Sequence, residues 1–137
     1  MQEINPSFVR INGWETFLSS SLLEAVCANK EVQQKTEEVF STLNKKIECL
    51  PDEPGFITAR VVSMIVNEAF IALGEGVSTM EEINTAMKSG TAYPYGPFEW
   101  AEKIGVQNIV TLLQKLGKIQ SRYLPSELLV QETNKAI

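Results

Sequence analysis

Between Phe56 and Leu73 the chain is apolar almost all round a helical wheel, and its polar residues Arg60, Ser63, Asn67 and Glu68 fall in one narrow stripe. A helix with so thin a wet face is buried, either at the centre of a domain or against a partner. Asp52 and Pro54 stand ahead of it. The first suits an acceptor for the free N–H groups of a helix start, and the second suits a position that needs no N–H. Gly74 and Gly76 suit a left-handed C-cap. These signals predict one long helix within 52–76. Arg60, Asn67 and Glu68 interrupt the apolar run, which argues against a membrane span.

The chain has 137 residues, enough for one domain with a sizeable core. Its net charge of −5 disfavours nucleic acid as a partner, because phosphate binding needs clustered cations. No basic-then-apolar leader pattern is visible, and a cytoplasmic location is expected. Asn5-Pro6-Ser7 is not a glycosylation acceptor, because proline holds its middle position. There is no histidine. That removes Ser-His and Cys-His nucleophiles, a His general base and most zinc sites, so no metal is expected. Cys27 and Cys49 form no C-x-x-C and no metal pattern. They read as two small buried hydrophobes, reduced in the cytosol.

Residues 1–9 read as a lead-in. Phe8–Asn12 alternates like a strand, and Leu22–Cys27 is a short apolar run suited to a buried strand. Glu31–Leu43 is amphipathic, with Val32, Val39, Phe40 and Leu43 on one face. Ile47–Leu50 is a further strand candidate, stopped by Pro51. Strand, helix and strand make a parallel βαβ unit. Parallel strands are normally covered on both faces, and some fifty residues cannot supply that cover. The first part therefore reads as the end of a larger α/β domain. From Pro51 on the pattern is helical. Ser78-Thr79-Met80-Glu81 reads as a capping box ahead of a helix ending near Gly90. Ala92–Phe98 is a rigid aromatic loop, Pro97 opens the next helix, and Ser126 caps the last.

Each candidate for chemistry has a structural competitor. Gly74-x-Gly76 faintly resembles a dinucleotide fingerprint, but it follows a helix and lacks a third glycine, which favours the C-cap. Glu24, inside an apolar strand, is a candidate general base or orienting group; the competitor is an edge strand with Glu24 turned to water. Arg60, Ser63 and Asn67 are candidates to line a polar cleft; the competitor is a set of buried hydrogen bonds tying helices and loops together. The Tyr93–Trp100 aromatics are candidates to face a ligand; the competitor is a packing plug between two helices.

Several spaced motifs occur in one order: Asp52-x-Pro54-Gly55-Phe56-Ile57-x-x-Arg60, Asn67-Glu68-Ala69, Gly76-Val77, Ile83-x-x-Ala86-Met87-Lys88-x-Gly90, Tyr93-Pro94-x-Gly96-Pro97-Phe98-Glu99 and Arg122-Tyr123-x-Pro125-x-x-Leu128-Leu129. Together they resemble the C-terminal domain of the 3-hydroxyacyl-CoA dehydrogenases over roughly residues 22–129. The resemblance implies a mainly α fold, a helical domain like the C-terminal domain of 6-phosphogluconate dehydrogenase, with a small N-terminal parallel βαβ remnant. It places residues 1–51 at the end of an α/β nucleotide-binding domain and 52–137 in the helical domain. In that family NAD is the cofactor, a Rossmann domain binds it, and the helical domain supplies a dimer contact and one wall of the acyl-CoA cleft. A His acts as base and a Glu orients it. Leu22–Val26 resembles the strand carrying that Glu, so Glu24 is the catalytic position carried over. Arg60, Ser63 and Asn67 are carried over as the weaker substrate-binding set.

The departures from the family pattern are specific. Counted without gaps from Glu24, the family's His falls on Asn12; a small shift puts it on Arg10. An amide does not titrate, and an arginine stays protonated, so neither is a base at neutral pH. The family's cleft Asn, just before the motif Arg, is Ala59. The glycine fingerprint for NAD and the family's aromatic tail are missing from the sequence. Three expectations follow. The first is an acyl-CoA-contacting, homodimeric domain that is not catalytic alone. The second is a homodimeric interaction module that no longer binds ligand. The third is half of a split enzyme, completed by a separate Rossmann-domain chain.

Overall fold

The computed structural model describes residues 7–134; most of the lead-in, including Asn5 and Pro6, lies outside them. The chain divides into two compact units, one up to Ala59 and the other from Arg60 onward.

The first unit contains β1 (Arg10–Ile11), a short helix α1 (Glu15–Leu18), β2 (Leu22–Val26), α2 (Lys30–Ser41) and β3 (Lys46–Cys49). The sheet order is β1-β2-β3. β2 and β3 run parallel, with Glu24 opposite Glu48 and Ala25 opposite Cys49, so the strand–helix–strand reading holds. β1 adds an antiparallel edge, Arg10 facing Val26 and Ile11 facing Ala25. β2 is therefore central, and Leu23 to Val26 are buried. This corrects the edge-strand alternative for Glu24, which is 9% exposed and does not face water. Asn29 caps α2 by accepting from the Val32 N–H at 2.9 Å. The apolar face expected on α2 is only partly covered: Val39 is 60% exposed and Leu43 62%.

Two further expectations are corrected here. Cys27 and Cys49 are not free thiols; they are joined by a disulfide. The long helix does not begin at Asp52 and Pro54 but at Thr58. Gly55 and Phe56 have φ of 78° and 49°. Two successive left-handed residues cannot lie within a right-handed helix, so the chain turns there instead. Asp52 pairs with Arg10 at 2.7 Å rather than capping. The Arg10 guanidinium also donates to the Glu53 carbonyl and lies 4.1 Å above the Phe56 ring.

The second unit is helical: α3 (Thr58–Gly74, its first two residues falling in the first unit), α4 (Met80–Thr91), α5 (Pro97–Ile104), α6 (Val106–Gly117), a 3-10 turn (Ser121–Tyr123) and α7 (Glu127–Thr133). α3 ends as expected. Gly76, at φ 71°, donates to the Leu73 carbonyl and Val77 to that of Ala72, which is a Schellman cap. The capping box of α4 is formed by Thr79 and Glu82, one residue later than the expected Ser78 and Glu81. Phe70 packs edge-on against Phe98 at 5.0 Å, and Tyr93 against Trp100 at 5.2 Å. With Trp100 only 4% exposed, the aromatic loop serves as a packing plug. Gly96 is required by close approach: a Cβ there would sit 2.3 Å from Asn84 Oδ1. That same oxygen accepts from the Phe98 N–H at 3.0 Å. Val66, Phe70, Ile109, Leu113, Leu116 and Leu129 form the core of this unit. Among the described residues no helix is long and apolar enough to cross a membrane.

Candidate functional site

Residue alternation along β2 places the side chains of Leu23 and Glu24 on opposite faces of the sheet. Glu24 lies where the chain enters α3. Its Oε1 accepts from the backbone N–H of Ile57 at 3.1 Å and of Thr58 at 2.9 Å. Its Oε2 accepts from the Thr58 hydroxyl at 2.5 Å and from the Asn12 amide at 3.1 Å. The Asn12 amide also donates to Thr58 Oγ1 at 3.0 Å. Asn12 is itself 5% exposed, its N–H donates to the Glu24 carbonyl at 3.1 Å, and its side-chain oxygen accepts from the Trp14 N–H at 3.4 Å.

Every part of this cluster has a local cause. Pairing of β1 with β2 brings Asn12 beside Glu24, since the last ladder bond runs between their backbones. The turn at Gly55 and Phe56 aims the first N–H groups of α3 at the carboxylate. A helix start carries orphan donors and the positive end of the dipole, so an anion there is favoured. Glu24 thus does the capping that Asp52 was expected to do. No feature of the sequence near Thr58 announces this, because the cap comes from a strand more than thirty residues away.

Beside the cluster is a pocket of about 210 Å³, whose lining includes Asn12, Phe17, Leu22, Glu24, Leu50 and Thr58. Its wall is mostly apolar, with an amide, a carboxylate and a hydroxyl converging at one side. The chemistry on offer is hydrogen bonding. Each carboxylate oxygen already accepts two donors, which fills its lone pairs.

The stripe on α3 lies in the second unit. Asn67, 3% exposed, donates to the Leu124 carbonyl at 3.1 Å and accepts from the Ser126 N–H at 2.8 Å. It ties α3 to the segment that starts α7. The Arg60 guanidinium stands 5.7 Å over the Tyr123 ring. Ser63 is fully buried, its hydroxyl without a hydrogen-bond partner among the described residues. Ala59, where the family's cleft Asn was expected, is buried and offers only a methyl group. Among the described residues no cluster of His, Cys, Asp and Glu has the makings of a metal site.

This combination of a helical unit and a short α/β segment is that of a dehydrogenase's C-terminal domain. The family model "3-hydroxyacyl-CoA dehydrogenase, C-terminal domain" matches residues 55–135, and the chain belongs to that family. It is 44% identical over 84 residues to the 3-hydroxyadipyl-CoA dehydrogenase of Escherichia coli, a match covering 60% of this chain and 18% of that protein. It is 34% identical over 112 residues to the 3-hydroxybutyryl-CoA dehydrogenase of Bradyrhizobium diazoefficiens, covering 80% of this chain and 38% of that protein. The crystal structure of (S)-3-hydroxybutyryl-CoA dehydrogenase from Ralstonia eutropha superposes with a TM-score of 0.84 at 25% identity, over 94% of this chain and 47% of that one. The chain thus spans less than half the length of each of these relatives and covers their C-terminal domain.

Proposed function

We propose that this chain works as the C-terminal part of a 3-hydroxyacyl-CoA dehydrogenase, contributing a wall of the acyl-CoA cleft and a self-association surface, and does not oxidise substrate by itself. The observation that carries this reading is the 3.1 Å contact of the Asn12 amide with Glu24. Counted without gaps from Glu24, the resemblance puts the catalytic base at Asn12, and with a small shift at Arg10, whose guanidinium stays protonated. The carboxylate that would orient a base instead holds an amide, a hydroxyl and two backbone N–H groups. An amide takes no proton from an alcohol, and a carboxylate with filled lone pairs is a poor substitute.

NAD, the cofactor of the family, does not fit the residues present. No G-x-G-x-x-G stretch follows a strand in the sequence. The pocket beside Glu24, about 210 Å³, is below the usual 300–1,000 Å³ of small-molecule sites. It suits the short reactive end of an acyl thioester, with the rest of the coenzyme outside. Asn12, Glu24 and Thr58 belong to its polar lining, while Asn67 ties α3 to the segment that starts α7.

Two assays test this. The purified chain with NADH and acetoacetyl-CoA should show no turnover; a measurable rate overturns the non-catalytic part. Acetoacetyl-CoA should raise the melting temperature, since a ligand of the folded state stabilises it. No shift would leave the second reading, a homodimeric interaction module. That reading draws support from the apolar side chains the second unit leaves exposed, among them Val61 at 48%, Val77 at 69% and Ile119 at 69%. Sedimentation showing a monomer at every concentration removes the self-association common to both. Turnover appearing only on adding a separate Rossmann-domain chain would establish a split enzyme.

A further inference from the structure

The Cys27–Cys49 bridge has no part in the function proposed above. Its placement is specific. Cys49 ends β3 opposite Ala25, and Cys27 follows the last residue of β2, so the bridge joins the same ends of two adjacent parallel strands. The loop it closes contains all of α2. Non-covalent anchoring of that helix is thin. Thr36 is its only buried residue, and Val39 is 60% exposed. An open groove of about 480 Å³ runs along it, lined by Val9, Val32, Thr36, Val39 and Phe40 among others. Beyond Cys49 the chain leads directly to Asp52, Glu53 and Phe56, the residues held by Arg10, and on to the N–H groups capped by Glu24. Both cysteines are half-buried rather than enclosed in the interior.

We propose that Cys27 and Cys49 form a reversible thiol–disulfide latch that sets the order of the strand–helix–strand unit. Oxidised, the bridge pins β3 and α2 to β2. Reduced, the unit keeps its ladder but loosens. Closing the latch forms one S–S bond from two thiols and releases two protons and two electrons. A glutathione-type disulfide accepts them and leaves as two thiols. Reduction runs the same exchange backward.

The test uses the whole chain equilibrated in glutathione buffers of graded ratio, then quenched with a thiol-reactive polyethylene glycol maleimide and read by gel shift. One two-electron transition between bridged and dithiol forms is expected within the range those buffers span. A chain with two free thiols at every ratio, or one still bridged in fully reduced glutathione, overturns the latch. Hydrogen exchange then compares the two forms. Closing a loop of this size constrains the open state strongly, so amides of α2 and β3 should exchange faster on reduction, on the order of a hundredfold. Amides of α6 serve as the internal reference. Equal exchange of α2 and β3 in both forms also overturns the proposal. The Cys27→Ala/Cys49→Ala variant should match the reduced form and ignore the glutathione ratio. If that variant fails to fold, the wild-type chain alone decides, since both its states are reached without mutation.

Discussion

From Arg60 onward the molecule is held by apolar burial, and up to Ala59 by a few polar and covalent ties. In the later region Val66, Ile109, Leu113 and Leu129 are wholly buried, with Phe98 and Trp100 nearly so. Among the described residues of the earlier region the buried apolar side chains are Leu23, Ala25, Val26, Phe56 and Ala59, and they share the interior with Asn12, Glu24 and Thr36. The later region spreads its stability over many apolar contacts. The earlier one concentrates it in Glu24, Arg10 and the sulfur bridge. Where a core is too small to fill with hydrocarbon, fully satisfied polar groups and a cross-link take over the work of fixing one arrangement. The two tryptophans allow each region to be watched alone, Trp14 in the first and Trp100 in the second.

The largest expected effect is in the helical region. Leu113 is 0% exposed. Leu113→Ala should cost about 2–5 kcal/mol, as loss of buried methylenes and a residual cavity together do. Urea unfolding followed by Trp100 emission measures it. A cost below about 1 kcal/mol would mean that this core collapses around the gap, and the contrast with the first region would fail.

In the first region the corresponding experiment is polar. Glu24→Ala strands two backbone N–H groups, the Thr58 hydroxyl and the Asn12 amide. The expected cost is about 1.5–3 kcal/mol, the range for hydrogen bonds to a charged group. Trp14 emission in a Trp100→Phe background reports it. Glu24→Gln should recover part of the loss, because one amide oxygen still accepts from the helix start. If Glu24→Ala is silent, the carboxylate is not what orders the start of α3.

The sequence made the helical region legible because its signals are local. The Gly76 cap, Pro97 at a helix start and Ser126 capping α7 each involve residues within a turn of one another, and the box of α4 was read only one residue early, at Ser78 and Glu81 instead of Thr79 and Glu82. The parallel pairing of β2 and β3 followed from strand, helix and strand in succession. What went unread was set through space. Asp52 looked like a cap and is an ion-pair partner of Arg10, while the true cap comes from Glu24. Cys27 and Cys49 carried no spacing signal, and only strand register brings them together. α1, four residues long, is too short to show a period. Of the candidate site, ungapped counting from Glu24 pointed to Asn12, and the two do touch. That Thr58 completes the cluster depends on the left-handed turn at Phe56, which a bulky aromatic residue gives no reason to expect.

A smaller effect separates cap from core within the helical region. Thr79 accepts from the Glu82 N–H and its own N–H donates to the Glu82 carboxylate. Thr79→Ala should cost about 1 kcal/mol, as loss of an N-cap usually does, while Thr79→Ser should be nearly neutral. Hydrogen exchange at the first turn of α4 localises the loss. Protection lost throughout α6 instead would show that the cap and the core are one unit.

The smallest effect is in the pH dependence of that region, and its sign is fixed. The Ser78 hydroxyl, followed by the Thr79 N–H, holds the Glu82 carboxyl below the usual carboxylate range. The Lys88 ammonium, followed by the Gly96 N–H, does the same for Glu99. Both groups return to about 4.3 when the chain unfolds. A carboxyl depressed in the folded state contributes its full stabilisation above the unfolded value and loses it as pH falls through the folded one. The melting temperature read by Trp100 should therefore be insensitive to these two groups near neutrality and fall with acid below about pH 4–5. Glu82→Gln and Glu99→Gln should each flatten part of that fall. Salt tells them apart. The Lys88–Glu99 pair is a charge pair at the surface and should weaken in concentrated NaCl, whereas the donors to Glu82 are neutral and should be much less affected. An acid limb unchanged in both variants would place the titrating groups elsewhere and remove electrostatics from the account of the helical region, leaving apolar burial as its main support.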